Sequence, residues 1–363
     1  MEKKNRILLV LGVPPPYGGG EVQAEIIAEH FGNVPEFSVF SYARGSGSKS
    51  TQGRVTVGNL SFGLYYIVRC TGLMLAVRPR AMYLSIPKNF AAFARMIPVI
   101  LFASLMRIRV CGELAGARFL FLDRGWQRAV GLFVLRRLHS IRFLGDHIRA
   151  AHVQYGFRNP VVIANGIRIP HDRTRAPLPA AGRIALLYVG ALNHSKGVGR
   201  VIEAVKLCRD HGLDVVCTLL GEWSDPLLQE DVERFITQQR LQDRVRFIGL
   251  IKGEQKWAYY REAAILVHPT EWDGQPLTIL EALGMGLAVI STPVGAIPDT
   301  VVHGKNGILL AENTPQKLFE AVKELYADRT RLAEMMVHNQ SDFDRRFTVE
   351  MLLANFENWL TSA

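Results

Sequence analysis

The sequence of 363 residues predicts an α/β protein made of two doubly wound domains, each a parallel sheet covered on both faces. Three observations carry this. Short, near-continuous apolar runs alternate with helical patterns, about one strand-helix unit apart. The alternation breaks once, at the Pro-, Arg- and Ala-rich stretch RIPHDRTRAPLPAAGR, 168–183. The length also exceeds what a single core usually supports.

In chain order, the first-half strands are expected in RILLVLGV, AMYLSI, IRVCGEL, SIRFLG and PVVIANGI. Those of the second half are expected in IALLYVGAL, DVVCTLLGE, VRFIGLI, AAILVHPT, LAVISTP and NGILL. The chain therefore divides into a first domain over 1–170, a linker over 171–183 and a second domain over 184–345. The segment FTVEMLLANFENWL, 347–360, reads as an amphipathic helix. The opening MEKKNRILLVLGVPPPYGGG has a basic head and an apolar run, the elements of a signal peptide. The run ends in prolines without a small-residue cleavage site, so it is expected to be a first buried strand. The most lipid-like stretch, 90–106, is short for a span and carries Arg95 and Pro98, so no transmembrane helix is expected. Cys70, Cys111, Cys208 and Cys217 are scattered, as reduced core residues of a cytosolic protein would be.

Charge is unevenly divided. Residues 1–175 hold 24 Lys and Arg against 9 Asp and Glu, whereas 176–363 hold 19 against 24. The first half should therefore meet something anionic. Its densest basic segment, 124–143, intersperses Trp126, Val130, Phe133 and Val134 with Arg124, Arg128, Arg136 and Arg137. That segment fits an interfacial helix or a packed helix with a solvated face. No nucleic-acid motif accompanies the charge, which makes a membrane surface the expected partner.

In open parallel sheets ligands bind beyond the carboxyl ends of the strands. Three loops there stand out. In GVPPPYGGGEVQ, Gly18, Gly19 and Gly20 allow positive φ and close backbone approach at a helix start. The dinucleotide spacing G-x-G-x-x-G is missing, and a flexible turn is the alternative. In YVGALNHSKGVGR, Lys196 precedes a helix beginning near Val198, where a cation and helix-terminal amides can meet a phosphate. In HPTEWDGQPLTILEALG, Pro276 suits the first turn of a helix, Asp273 stays in the loop before it, and Glu281 lies about a turn and a half along. Two carboxylates flanking a helix tip suit a ligand with hydroxyls at both ends and an anionic middle, such as a nucleotide sugar.

The segment HPTEWDGQPLTILEALGMGLAVISTPVGAIPDTVVHGKNGILL resembles the signature region of family 4 retaining glycosyltransferases, which are of the group 1 type. The resemblance extends through LLYVGALNHSKGVGRVIEAV, LLGEWSD and VRFIGLIKGEQKWAYYREA, and more weakly through PPPYGGGE and VIANGI. It implies the GT-B fold of two facing Rossmann-like domains with a cleft between them. It also implies a final helix, here 346–363, that crosses back to the first domain. Carried over by position, Asp273 holds hydroxyls of the donor sugar, Glu281 the ribose and Lys196 the diphosphate. Gly274, Gln275, Pro276 and Leu277 present the backbone near the diphosphate and sugar, and Gly19 and Gly20 belong to a first-domain loop over the donor.

The resemblance implies no metal and no cofactor, retention at the anomeric carbon, and proton transfer to the leaving phosphate. The expected substrates are a nucleoside diphosphate sugar and a saccharide acceptor. A lipid-linked saccharide of surface polysaccharide or glycolipid synthesis is the expected form, at the inner face of the cytoplasmic membrane. Three positions depart from the family pattern. Asp273 is one methylene shorter than the usual Glu, with Glu271 nearby; Ala191 stands where a second basic residue is usual; and Ala115, beside Glu113, stands where many members place a histidine. The alternatives are a nucleotide-sugar epimerase of similar fold and a non-catalytic donor-binding homologue.

Overall fold

The computed structural model describes residues 6–15, 17–43, 57–116, 119–123, 125–175, 177–251 and 253–362. The basic head over 1–5, Pro16 of the proline run and Arg124 of the basic segment lie outside the described residues. The chain forms two units: residues 1–166 with 349–363, and residues 167–348.

The first unit is built on a parallel sheet of β1 (Ile7–Gly12), β2 (Phe37–Tyr42), β3 (Ala81–Ser85), β4 (Arg109–Leu114), β5 (Ser140–Phe143) and β6 (Pro160–Val162). Their order is β2-β1-β3-β4-β5-β6, with Ile7 of β1 in register with Phe37 on one side and Ala81 on the other. Sequence reading missed β2. Its sequence, FSVFSY, places Ser between aromatic and aliphatic residues, because as an edge strand it is buried less continuously than β1 or β3.

Packing against this sheet is the Val349–Ser362 helix from the far end of the sequence. Its Leu352, Phe356, Trp359 and Leu360 are buried with Ile7, Leu9, Phe31 and Tyr83. Each such side chain contributes about 1.5–3 kcal/mol by leaving water. The Trp359 indole N–H donates to Ser140 Oγ at 2.8 Å, so its polar edge is satisfied inside the core.

Beside this core lies a buried polar network. Arg142 of β5 is wholly buried and donates to Glu113 Oε2 of β4 at 2.5 Å, to the carbonyls of Ile163 and Ala164, and to Asn165 Oδ1. The Tyr83 hydroxyl donates to the same Glu113 oxygen at 2.5 Å. The network fixes the chain where it leaves the first sheet, and Gln23 clamps Gly166 by donating to its carbonyl and accepting from its amide.

The longest apolar helix is Val57–Val77, which sequence reading did not single out, whereas the more apolar residues 90–106 are short, as expected. Residues 90–106 form two short helices, Phe90–Ala94 and Ile97–Leu105. The Gly58–Val77 stretch is long and apolar enough to cross a membrane, with a mean hydropathy of 1.5. Gly58, Gly63, Gly72 and Arg69 interrupt it and lower its visibility in the sequence.

The second unit contains β7 (Ile184–Val189), β8 (Val215–Leu220), β9 (Val245–Gly249), β10 (Ile265–His268), β11 (Ala288–Ser291) and β12 (Gly307–Leu309). They are parallel in the order β12-β11-β10-β7-β8-β9. Alternate strand residues Ile184, Leu186, Ile265, Val267 and Ile290 enter a core with Val201, Val205, Leu318 and Val322. Their neighbours Leu187, Leu266 and Val289 point to the opposite face and are equally buried. Burial on both faces explains why these strands appear as continuous apolar runs. All four cysteines are buried and free.

Candidate active site

Two loops at the carboxyl edge of the second sheet build the site. The first follows β7, where Asn193 Oδ1 accepts from the Lys196 amide at 2.9 Å and from the Ser195 hydroxyl at 3.0 Å. This local bonding makes a turn that delivers Lys196 just before the Val198–Asp210 helix. Gly197 caps the helix at φ +82°, and a Cβ there would lie 2.4 Å from the Pro269 carbonyl. Only glycine lets the loop after β7 approach the loop after β10 this closely.

The second loop runs from Pro269 to Pro276 and enters the Leu277–Gly284 helix. Pro276 occupies the cap position, one residue before the expected first turn. The loop is braced from behind: the Ala296 amide donates to the Gly274 carbonyl at 2.7 Å, and Gln275 turns inward to donate to Thr300 Oγ1 at 3.1 Å. Gln275 is therefore a buried support for the loop.

Across the two loops, Lys196 Nζ meets Asp273 Oδ2 at 2.5 Å and the Trp272 carbonyl at 3.3 Å. His268 Nε2 lies 3.3 Å from the same Asp273 oxygen, and the Gly274 amide donates to the other at 3.0 Å. Burial alone would raise the Asp273 carboxyl. The hydrogen bond from His268 and the charge of Lys196 outweigh it and hold the group well below the ordinary carboxylate range. Asp273 is thus a fixed anion that accepts hydrogen bonds. Among the described residues, His268 Nδ1 is buried with no hydrogen-bond partner.

Glu281, on the Leu277–Gly284 helix, has two partners that sequence reading did not find. Lys256 Nζ meets Oε1 at 2.6 Å, and the Tyr260 hydroxyl donates to Oε2 at 2.5 Å. Both come from the Lys256–Glu262 helix. Burial and then the Glu281 charge push the Tyr260 hydroxyl well above its ordinary pKa, so it remains a proton donor to the carboxylate. Glu271 does not join this set: Arg200 holds it at 3.0 Å, while also donating to the carbonyls of His194 and Pro269. Glu271 is therefore engaged away from Lys196.

Lys196 and Asp273 are thus brought together, while Glu281 stands on the following helix with its own cation. Gly19 and Gly20 lie in the first unit and open the Gly19–Phe31 helix there. The glycine run does not use the positive φ open to it: Gly18 is extended at φ −155°, and Gly19 and Gly20 start the helix. Glu113 belongs to the buried network with Arg142, so it is no ligand group beside Ala115. Among the described residues no group of three or more His, Cys, Asp or Glu could hold a metal ion.

Residues 172–342 match the family model described as glycosyl transferases group 1. The lipopolysaccharide core biosynthesis mannosyltransferase LpsB of Rhizobium meliloti is 25% identical over 269 residues, covering 70% of this chain and 73% of LpsB. The amylovoran biosynthesis glycosyltransferase AmsK of Erwinia amylovora is 29% identical over 37% of this chain and 34% of its own. Among solved structures, Anabaena HepE in complex with UDP superposes with a TM-score of 0.73 at 18% identity, covering 99% of this chain and 100% of HepE. A glycosyltransferase from Rickettsia africae gives 0.78 at 14% identity, over 99% and 98%. The fold is GT-B, as in these neighbours.

Proposed function

We propose that this chain, whose residues 172–342 match the glycosyl transferases group 1 model, is a member of that family and moves a sugar from a nucleoside diphosphate sugar to a saccharide acceptor with retention of anomeric configuration. The observation that carries the reading is the Lys196–Asp273 pair at the carboxyl edge of β7 and β10, beside a helix tip. HepE, of similar fold, is described in complexes with UDP and with UDP-glucose, which supports a nucleotide sugar as the ligand class.

In this reading Lys196 meets the diphosphate. Its ammonium has three donors; Asp273 and the Trp272 carbonyl use two, and the third is left for a phosphate oxygen. Asp273 accepts from donor-sugar hydroxyls, Glu281 from the ribose, and the backbone at Gly274, Gln275, Pro276 and Leu277 borders the phosphates. Gly19 and Gly20 contribute the loop of the first unit. The acceptor hydroxyl attacks from the face the diphosphate leaves, and its proton passes to the departing phosphate oxygen. Positioning and charge stabilisation then supply the catalysis, without a metal ion or a protein nucleophile.

LpsB and AmsK are named for lipopolysaccharide core and amylovoran synthesis, which supports a cell-surface saccharide, lipid-linked, as the acceptor. The basic first half supports work at an anionic membrane surface on the cytoplasmic side.

A thermal-shift screen of nucleotide sugars tests the reading, because a ligand that binds only the folded state raises its stability. The true donor should shift the wild type, and Asp273→Ala and Glu281→Ala should each erase the shift. Wild-type behaviour of both variants removes the site assignment. Ala191, where a second cation is usual, favours a donor-binding homologue without activity as the second reading. Anomeric analysis by NMR separates the outcomes: a transferred sugar of retained configuration supports the enzyme, interconversion of the donor alone an epimerase, and an unchanged donor the binder.

A further inference from the structure

The Val57–Val77 helix has two apolar faces. Tyr66, Cys70 and Met74 form one stripe at four-residue spacing, buried in the first unit. On the opposite side Leu60, Leu64, Val68 and Leu75 are 63%, 65%, 58% and 58% exposed. A solvated helix normally turns a charged face outward, so an exposed stripe of this length marks a contact surface. The Ile97–Leu105 helix packs beside it and adds Leu105, 80% exposed.

The charge around this stripe selects the partner. Between Glu36 and Glu113 the sequence contains ten Lys and Arg and no Asp or Glu. This run includes both helices, so neither carries an acidic side chain. A second copy of the chain docking on the same face would set these cations against their own kind. An anionic lipid leaflet satisfies both features, taking the leucines at its acyl boundary and the cations at its headgroups. The helix does not have to cross the bilayer: the inward stripe is fixed in the core, and the Arg95 guanidinium lies over the Phe62 ring at 5.3 Å.

We propose that the outward face of the Val57–Val77 helix lies in the plane of an anionic phospholipid leaflet and docks the first unit there. This deepens the membrane reading above and rests on it, but moves the docking element from the basic segment 124–143 to an acid-free helix pair.

The test is flotation with vesicles of phosphatidylcholine containing phosphatidylglycerol, against vesicles of phosphatidylcholine alone. Wild type should bind the anionic vesicles and not the neutral ones. The double variant Leu64→Asp/Val68→Asp should lower partitioning by at least about tenfold, while Trp126→Ser/Phe133→Ser in the basic segment should change it far less. Tyr65→Trp, half exposed on the same helix, should shift its emission to the blue on vesicle binding and be quenched by brominated lipid. The donor-induced thermal shift should persist in the Asp double variant, which shows that it is folded and that its donor site is intact. Absence of wild-type binding, undiminished binding by the Asp double variant, or a wild-type dimer that the variant splits would each overturn the proposal. A wild type that floats but gives no shift with any nucleotide sugar would refute the function and leave the docking surface standing.

Discussion

At the scale of single residues, the motif chemistry was legible and its partners were not. Asp273, Lys196 and Glu281 could be singled out because the loop glycines, Pro276 and the spacing along a helix face are local features. Their companions were invisible for a physical reason. Lys256 and Tyr260 reach Glu281 from 25 and 21 residues away, and Arg200 reaches Glu271 from 71, so only the tertiary fold pairs them. His268 stands five residues before Asp273, but as part of a buried strand it carried no mark of being a hydrogen-bond donor. A consequence in acid follows from Asp273. Its folded-state pKa lies below the unfolded value of about 3.9, so its ionised form stabilises the fold above that pH, and the contribution is lost as pH falls below it. Thermal unfolding between neutrality and pH 3 should show a steeper loss of melting temperature on the acid side for wild type than for Asp273→Asn. Parallel curves would mean that the pair with Lys196 contributes nothing to stability.

At the scale of elements, the eleven strands expected from apolar runs all form, since a doubly covered parallel strand must be apolar on both sides. The missed one, β2, pairs only with β1. Loops are positioned by contacts that no propensity encodes. Gly295, at φ +60°, shows this: a Cβ there would lie 2.2 Å from the Asp273 carbonyl oxygen and 2.4 Å from that of Gly274. The loop after β11 thus supports the loop that carries Asp273. Gly295→Ala should cost about 2–4 kcal/mol through backbone strain and displacement, and should weaken nucleoside diphosphate binding in calorimetry. Unchanged affinity would show that the Asp273 loop tolerates the shift.

At the scale of the whole molecule, two parallel sheets were legible as two runs of alternating elements, the first as five strands where the structure has six. The division falls between Gly166 and Ile167, at the near edge of the Pro-rich stretch, because Gln23 and the Arg142 network hold the chain to the first unit up to that point. The Val349–Ser362 helix completes the first unit's core, so damage to it should act on that unit. Trp359→Ala removes a buried indole and its bond to Ser140, and should cost about 3–5 kcal/mol. Denaturant unfolding followed by unit-specific hydrogen exchange should show early loss of protection in residues 7–166 and ordinary protection in the second sheet. Equal losses in both would mean that the two cores unfold as one.

That same helix sets an order of events during synthesis. Residues 167–348 carry every strand of their own sheet, whereas the sheet of residues 7–162 lacks its last covering side chains until 349–362 have been translated. The part made first is therefore finished last, and the nascent chain carries an open apolar seam along β1 and β3 while the rest of the polypeptide emerges.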